Sequence, residues 1–337
     1  MTDRPLRLGV IGCADIAVRR MLPAFAASPE VQLVAVASRD GRRAGPTAER
    51  FGCRAVHGYH RLLELDEVEA VYVPLPAALH AHWVEAALRA GRHVLAEKPL
   101  TTEAARTRAL ASLAHERGLV LRENVMFVHH RQHEVVRRLV EDGAIGRLRF
   151  FQASFAVPAR AEDDIRYDAA LGGGALWDVG VYPLRAALHF LGAGLDVVGA
   201  RLSAGAGRSV DTSGAVLLAS AEGVAAQLSF GLEHAYGNAY ELWGSRGRIT
   251  VQRAFTPPAD RPPQVLVDRG SGPEEMLLDP DDQVANTVAA FVHAVRTGAG
   301  PDQTCLDQAE LLDRVRRAAS GAGTDAGIGA GAGRRGS

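Results

Sequence analysis

Short apolar runs alternate with amphipathic segments from residue 6 to about 124, and this alternation constrains the fold more than any other feature of the chain. Leu6 to Gly12 reads as a buried strand ending at a glycine. Residues 15 to 27 follow, with Ile16, Met21, Leu22 and Phe25 near helical spacing. Gln32 to Ala37, Ala70 to Val73, His93 to Ala96 and Val120 to Leu121 read as further strands. Helical segments at 78–90 and 102–117 separate the later ones, and an Arg-rich stretch with helical potential follows the second strand. Strands that alternate with helices imply βαβ units and a parallel sheet whose ligands bind at the strands' carboxyl ends.

The texture changes at Phe150. Phe150 to Val157, Val197 to Ser203, Ala215 to Ser220, Val224 to Gly231, Ala239 to Trp243 and Arg248 to Val251 read as strands joined by turns, notably Glu222-Gly223 and Gly244 to Gly247. One helix at about Asp178 to Leu191 interrupts them, and two more are expected at 282–297 and 304–318. The expected architecture is a doubly wound α/β Rossmann domain over 1–124 followed by an α+β domain over 125–319 with a mostly antiparallel sheet. The last helices can pack back on the first domain. The Gly- and Ala-rich stretch 320–337 has no apolar period and reads as a disordered tail.

Composition narrows the function. A net charge of −1 supplies no basic field for nucleic acid. Cys13, Cys53 and Cys305 form no Cys-x-x-Cys pair, which speaks against a disulfide framework or a structural zinc. The N-terminus lacks a signal-peptide apolar region, and no apolar run approaches the ~18–20 residues that span a bilayer. A cytoplasmic protein is expected, with no membrane partner.

Gly12-x-Ala14-x-x-Ala17 sits where the first strand meets the first helix. Small residues there allow a tight turn and a close backbone approach to a pyrophosphate, which the helix N-terminus favours. The second strand ends Ala37-Ser38-Arg39, with Arg42 and Arg43 beyond. A hydroxyl and guanidinium forks suit a ribose 2′-phosphate, so NADP(H) is the expected cofactor, with Asp40 placed past the ribose-facing position. The Pro74-Leu75-Pro76 turn is expected to wall the cofactor, with His80 reaching its ribose. Arg166 is positioned to approach the cofactor, a surface role being the alternative.

Two distant residues suggest chemistry. Lys98, in Ala96-Glu97-Lys98-Pro99-Leu100, follows a strand at the ligand-binding end of this topology. Tyr182 lies 84 positions later and closes the run Gly172 to Tyr182. A lysine near a tyrosine can lower the phenol's pKa and relay a proton, which suits ketone reduction. Asp178 precedes Tyr182 by four residues and shares its face on a helix. Phe127 and Tyr236 are candidate substrate-pocket aromatics. His129, His130 and His133 cluster without a carboxylate or cysteine to complete a metal set, so no metal is expected, and His129 is a candidate for sugar or pyrophosphate contact.

The glycine-turn start, the Glu97-Lys98-Pro99 run and the Gly172-to-Tyr182 segment together resemble the glucose-fructose oxidoreductase / inositol dehydrogenase / rhizopine-catabolism (Gfo/Idh/MocA) family. The likeness runs from about residue 6 to 318. It implies an NAD(P)-binding Rossmann domain and a sugar or cyclitol substrate against the sheet of the second domain. That sheet also commonly makes a homo-oligomer, here expected as a dimer or tetramer, and Phe151, Phe155, Leu228 and Phe230 could supply the interface. The resemblance implies that Lys98 lies beside the nicotinamide, with Glu97 in the same run, and that Asp178 positions substrate and the catalytic group one helical turn later. That group is Tyr182 here, where histidine is more usual in the family's sugar and inositol dehydrogenases.

Gly12-Cys13-Ala14-Asp15-Ile16-Ala17 and Glu123 to His130 are further similar to the NADP-dependent sugar 3-ketoreductases of deoxysugar and antibiotic biosynthesis. The expected activity is reduction of a keto group on a nucleotide-diphosphate-linked deoxysugar, with a proton from Tyr182 assisted by Lys98. The alternatives are a sugar, inositol or trans-dihydrodiol dehydrogenase acting oxidatively, and a non-catalytic NADP-binding regulatory protein.

Overall fold

The computed structural model describes residues 4–321, so all but two residues of the Gly- and Ala-rich stretch 320–337 lie outside the described residues. Ser320 and Gly321 themselves close the last helix, Gln303–Gly321. Six strands, β1 (Leu6–Ile11), β2 (Val31–Ser38), β3 (Arg54–His57), β4 (Ala70–Val73), β5 (His93–Glu97) and β6 (Leu121–Asn124), form one sheet in the order β3-β2-β1-β4-β5-β6. Every pairing in it is parallel. This is the doubly wound order whose crevice lies outside the carboxyl ends of the strands. β1 and β4 are nearly continuous apolar runs because both faces of the sheet are covered. Helices Ala77–Arg89 and Ala104–Glu116 bury one face. On the other face, residues 15–27 pack beside Val284, Val288, Phe291 and Val292 of helix Gln283–Thr297. The chain therefore returns from its far end to finish the first domain's core.

The second sheet has eight strands: β7 (Leu148–Ala156), β8 (Asp196–Ser203), β9 (Ser213–Ala219), β10 (Ala225–Gly231), β11 (Gly237–Gly244), β12 (Arg248–Gln252), β13 (Gln264–Asp268) and β14 (Pro273–Leu277). Their order is β14-β13-β12-β11-β7-β10-β9-β8, and only the β7–β10 pair is parallel. Period-two burial turns Phe151, Ala153 and Phe155 of β7 and Leu228 and Phe230 of β10 toward helix Val181–Leu191. Phe151, Phe155, Leu228 and Phe230, expected to supply an interface, are thus core residues. The opposite face carries Gln152, Gln227 and Ser229, with Leu217 and Trp243 exposed at 41% and 44%.

Several elements lie outside the sequence reading, among them the short helix Tyr59–Leu63. β3 buries only Val56, and β14 is an edge strand opened by proline and two glutamates, so neither carries a strong alternating pattern. β13 does alternate, with Val265 and Val267 buried, but it is short and flanked by polar residues. Helix Arg131–Glu141 is mostly polar on the surface, with Glu134 bonded to Arg137 and Arg138.

Candidate active site

A cleft of about 720 Å³ opens at the carboxyl ends of the parallel strands and reaches the second sheet. Gly12, Cys13, Ala14, Asp15 and Ile16 line one end. Gly12 has φ +119°, and a Cβ there would meet Leu75 Cδ2 at 2.9 Å, so both the turn and the wall behind it need glycine. The helix that follows opens with a π-helical turn, Ala17–Met21.

At the end of β2, Ser38, Arg39, Asp40 and Arg43 border the cleft. Ser38 Oγ accepts the Asp40 N–H at 3.1 Å, and the Arg39 guanidinium has no side-chain partner among the described residues. Arg43 Nη2 donates to the Cys13 carbonyl at 2.8 Å, which brings this cation over the glycine turn. Arg42 is bonded back to Asp40 and points outward. Asp40 caps helix Gly41–Phe51 by accepting the Arg42 N–H at 3.0 Å. Its carboxylate is engaged at the cap, so two guanidiniums and a hydroxyl face the cleft. That donor set fits a 2′-phosphorylated dinucleotide.

The other end of the cleft is a network of charged side chains. Lys98 follows β5, and its Nζ donates to the Asp178 carbonyl at 2.7 Å and to Asp178 Oδ1 at 2.9 Å. Arg166 Nε donates to Asp178 Oδ2 at 2.8 Å, while its Nη1 reaches Asp164. Asp178 thus holds two cations, which is how it orders the site. The same ammonium lies 5.3 Å from the centre of the Tyr182 ring. Tyr182 is wedged by the ring of Phe155 at 4.8 Å and of Phe255 at 5.8 Å. Tyr182 lines the cleft, and its hydroxyl has no hydrogen-bond partner among the described residues.

Asp178 lies in a second π-helical turn, Leu176–Gly180, and Tyr182 in the α-helix Val181–Leu191 that continues it. Such turns recur at functional sites because they redirect a side chain without ending the helix. The glycine run before them is explained by crowding. Gly172 (φ +79°) would bring a Cβ within 2.8 Å of the Ala78 backbone nitrogen, at the start of helix Ala77–Arg89.

Burial and charge set the protonation states. Burial alone would raise the Asp178 carboxyl, but Lys98 and Arg166 bring it from its ordinary 3.8 down to about 2. Burial opposes the Lys98 charge, yet Asp178, Tyr182 and Glu97 outweigh it and hold the ammonium above the ordinary lysine range. Burial pushes the Tyr182 phenol up, with Lys98 opposing and Glu97 and Asp178 adding to the rise. The lysine therefore moderates the rise without reversing it, contrary to a net lowering, and Tyr182 is a protonated phenol at neutral pH.

Several expected contacts fall elsewhere. His80 is fully buried, and its Nδ1 and Nε2 lie 2.8 and 2.7 Å from the carbonyls of Pro99 and Leu75. It packs between the two turns that wall the cleft, and its neutral ring can donate to only one of those carbonyls at a time. Glu97 borders the cleft, but Oε1 accepts from Tyr72 Oη at 2.7 Å and Asn124 Nδ2 at 2.6 Å. Phe127 is core, packed behind Tyr182 with ring centres 6.0 Å apart. His129 lines a separate cavity of about 620 Å³ with Arg185 and Asp302. His133 is fully buried against Tyr240, its ring held well below the ordinary histidine value by burial, with His189 and His130 adding to the drop. Tyr236 is exposed, bonded through its hydroxyl to Thr256 and Asn238, and it is Thr256 that borders the cleft. Leu75, Pro76 and Arg166 do line it. Sequence reasoning missed Trp177, Phe155 and Arg160, which also line it. The alternation of β7 could have found Phe155, whereas the loop bearing Arg160 carries no periodic signal.

The sequence model of an oxidoreductase family with an NAD-binding Rossmann fold, GFO/IDH/MocA, matches residues 6–125, and that of the GFO/IDH/MocA C-terminal domain matches residues 133–250. The dTDP-3,4-didehydro-2,6-dideoxy-alpha-D-glucose 3-reductase of Streptomyces violaceoruber is 55% identical over 330 residues, covering 94% of this chain and 96% of its own. The NADP-dependent D-xylose 1-dehydrogenase 2 of Haloferax volcanii is 35% identical over 314 residues, covering 92% of this chain and 94% of its own. Among solved structures, a 3-ketoreductase from Actinomadura kijaniata in complex with NADP and TDP-benzene superposes with a TM-score of 0.91. It is 52% identical and covers 93% of this chain and 98% of its own. Variants of that enzyme replace a lysine and a tyrosine, which are separated by the same 84 positions as Lys98 and Tyr182.

Proposed function

The chain belongs to the Gfo/Idh/MocA family of oxidoreductases, and within it we propose that it is an NADPH-dependent 3-ketoreductase of a nucleotide-diphosphate-linked deoxysugar. The observation that carries the reading is the Lys98 ammonium lying against the ring of a protonated Tyr182 that lines the cleft. NADPH supplies the hydride that reaches the carbonyl carbon. As the carbonyl π electrons move to oxygen, Tyr182 donates its phenolic proton there and becomes a phenolate, which solvent reprotonates. Lys98 lowers the cost of negative charge on both oxygens, acting in a buried site where such charge is poorly screened. Asp178 and Arg166 hold the ammonium in place. At the cofactor end, Gly12, Cys13, Ala14, Asp15 and Ile16 hold the pyrophosphate, and Ser38, Arg39 and Arg43 hold the 2′-phosphate.

A phenol that stays protonated through neutral pH favours reduction over oxidation, because an alcohol must lose a proton to a base. The 3-reductase relative supports the same direction and class of substrate. The reading is tested by following NADPH oxidation across nucleotide-linked ketosugars and identifying the product by NMR. Turnover of nucleotide-linked 3-ketosugars, and not of free sugars with NADP⁺, is expected; oxidation of free sugars as the preferred reaction would overturn it. A cytoplasmic location is part of the proposal, supported by the NADPH that it assigns as cofactor; among the described residues no helix is long and apolar enough to cross a membrane. The open face of the second sheet, with Trp243 and Leu217 exposed, is the surface on which copies of the chain would pair. On that reading Trp243→Glu yields a smaller species by light scattering.

A further inference from the structure

We infer that Glu123 and Arg185 are positioning residues that tie the lysine turn to the tyrosine helix, an inference that rests on the reductase reading above. Lys98 and Tyr182 come from different domains, so their spacing must be fixed by something other than the chain that carries each one.

Behind the cleft lies a buried charge cluster that the reaction does not use. Glu123 in β6 is 6% exposed, and its Oε1 accepts the backbone N–H of Leu100 at 2.8 Å, two residues beyond Lys98. Gln308 Nε2 donates to both of its oxygens at 2.8 and 2.9 Å. Arg185, 4% exposed, stands three residues after Tyr182 in the same helix. Its Nη1 faces Glu123 Oε2 at 4.0 Å and its Nη2 faces Asp302 Oδ2 at 3.9 Å. Across the lysine turn, His80 Nδ1 bonds the Pro99 carbonyl. The turn is thus gripped on two sides, and one grip faces a cation on the tyrosine's own helix.

Stability is a poor explanation for this arrangement. A buried ion pair recovers its desolvation cost only with close, well-bonded geometry. Here the separations exceed hydrogen-bond length, and Arg185 Nη1 has no hydrogen-bond partner among the described residues. Burial pushes the Glu123 carboxyl up and Arg185 is the leading influence against it, so removing Arg185 loosens the grip on Leu100 as well. Registry between two elements is the better-attested use of such pairs.

The test compares Glu123→Gln, Arg185→Met and the double variant with the wild type on one nucleotide-linked ketosugar, reading kcat, KM for NADPH and Tm. Glu123→Gln keeps an acceptor for Leu100 while removing the charge and one of the two Gln308 contacts. Each single variant is expected to lose about 10- to 100-fold in kcat, the scale of a small misplacement of catalytic groups, with KM for NADPH unchanged. The double variant should be no slower than the slower single, because both remove one coupling, and Arg185→Lys should recover part of the rate. Wild-type kcat in folded variants well below their Tm, or losses that multiply independently, would overturn the inference. If either neutral variant fails to fold, Glu123→Asp, which keeps the charge but shortens its reach to Leu100 and Arg185, carries the same test, with wild-type kcat as the overturning result. A wild type that turns over while every variant matches it sinks only this inference. A wild type that never oxidises NADPH sinks the reductase reading and this inference together.

Discussion

The two ends of the cleft are built in opposite ways. At the glycine turn, binding rests on backbone: a residue at φ +119°, a helix start and amide groups whose positions the local chain dictates. At Lys98, Asp178 and Tyr182 it rests on buried side-chain charge, assembled by contacts between residues 80 positions apart. The glycine turn itself tolerates changes of side-chain chemistry but not of shape, whereas the charged end tolerates neither loss of charge nor displacement. Substitutions should therefore separate them, with cofactor affinity failing at one end and turnover at the other.

The largest effect is expected at the charged end. Tyr182→Phe should lower kcat by ~10²- to 10⁴-fold while NADPH affinity measured by fluorescence titration stays at the wild-type value. Unchanged turnover would remove Tyr182 from the mechanism. At the backbone end, Gly12→Val places a branched side chain where φ is positive and Leu75 is already close. Strain of ~1–3 kcal/mol should weaken NADPH binding by roughly 10- to 100-fold, with kcat at saturating NADPH little changed. A fall in kcat alone would erase the contrast between the two ends. Arg43→Ala should lower the preference for NADPH over NADH by about 10-fold, the loss of one charge-assisted bond. Equal losses for both cofactors would move Arg43 from 2′-phosphate recognition to support of the turn.

The smallest effects concern pH. Because burial raises Tyr182, kcat for reduction should stay flat through neutral pH and fall only above the ordinary phenol value of about 10. Asp178 is depressed to about 2 in the folded chain from an ordinary 3.8. Its stabilising contribution is thus fully present above the ordinary value and is lost as pH falls toward 2. The difference in denaturation midpoint between wild type and Asp178→Asn should accordingly close over that acid window, and a constant gap would mean that Asp178 does not hold its partners by charge.

Much of the cofactor end was legible because its determinants are contiguous. The alternation of strands and helices, the small residues at positions 12, 14 and 17, and the hydroxyl and cations after β2 all report local geometry. Even there, sequence could not tell that Arg43 and not Arg42 turns inward, since that depends on where Asp40 caps the helix. His80 shows the same limit: its position near the cleft was readable, but the two carbonyls that claim its nitrogens come from separate turns. Phe127 and the four apolar residues of the second sheet were recognisable as buried-type residues. Which side the helix Val181–Leu191 would cover was not.

The sequence by itself determined the Rossmann domain, the glycine turn and the placement of Lys98 at a strand's carboxyl end, because periodicity and turn chemistry act over a few residues. Long-range closure set the rest: Asp178 bridges Lys98 and Arg166, Tyr182 lies under the ammonium, and helix Gln283–Thr297 completes the first domain's core. Those are contacts between distant segments, and their energies depend on burial and charge spacing that exist only once the chain has closed on itself.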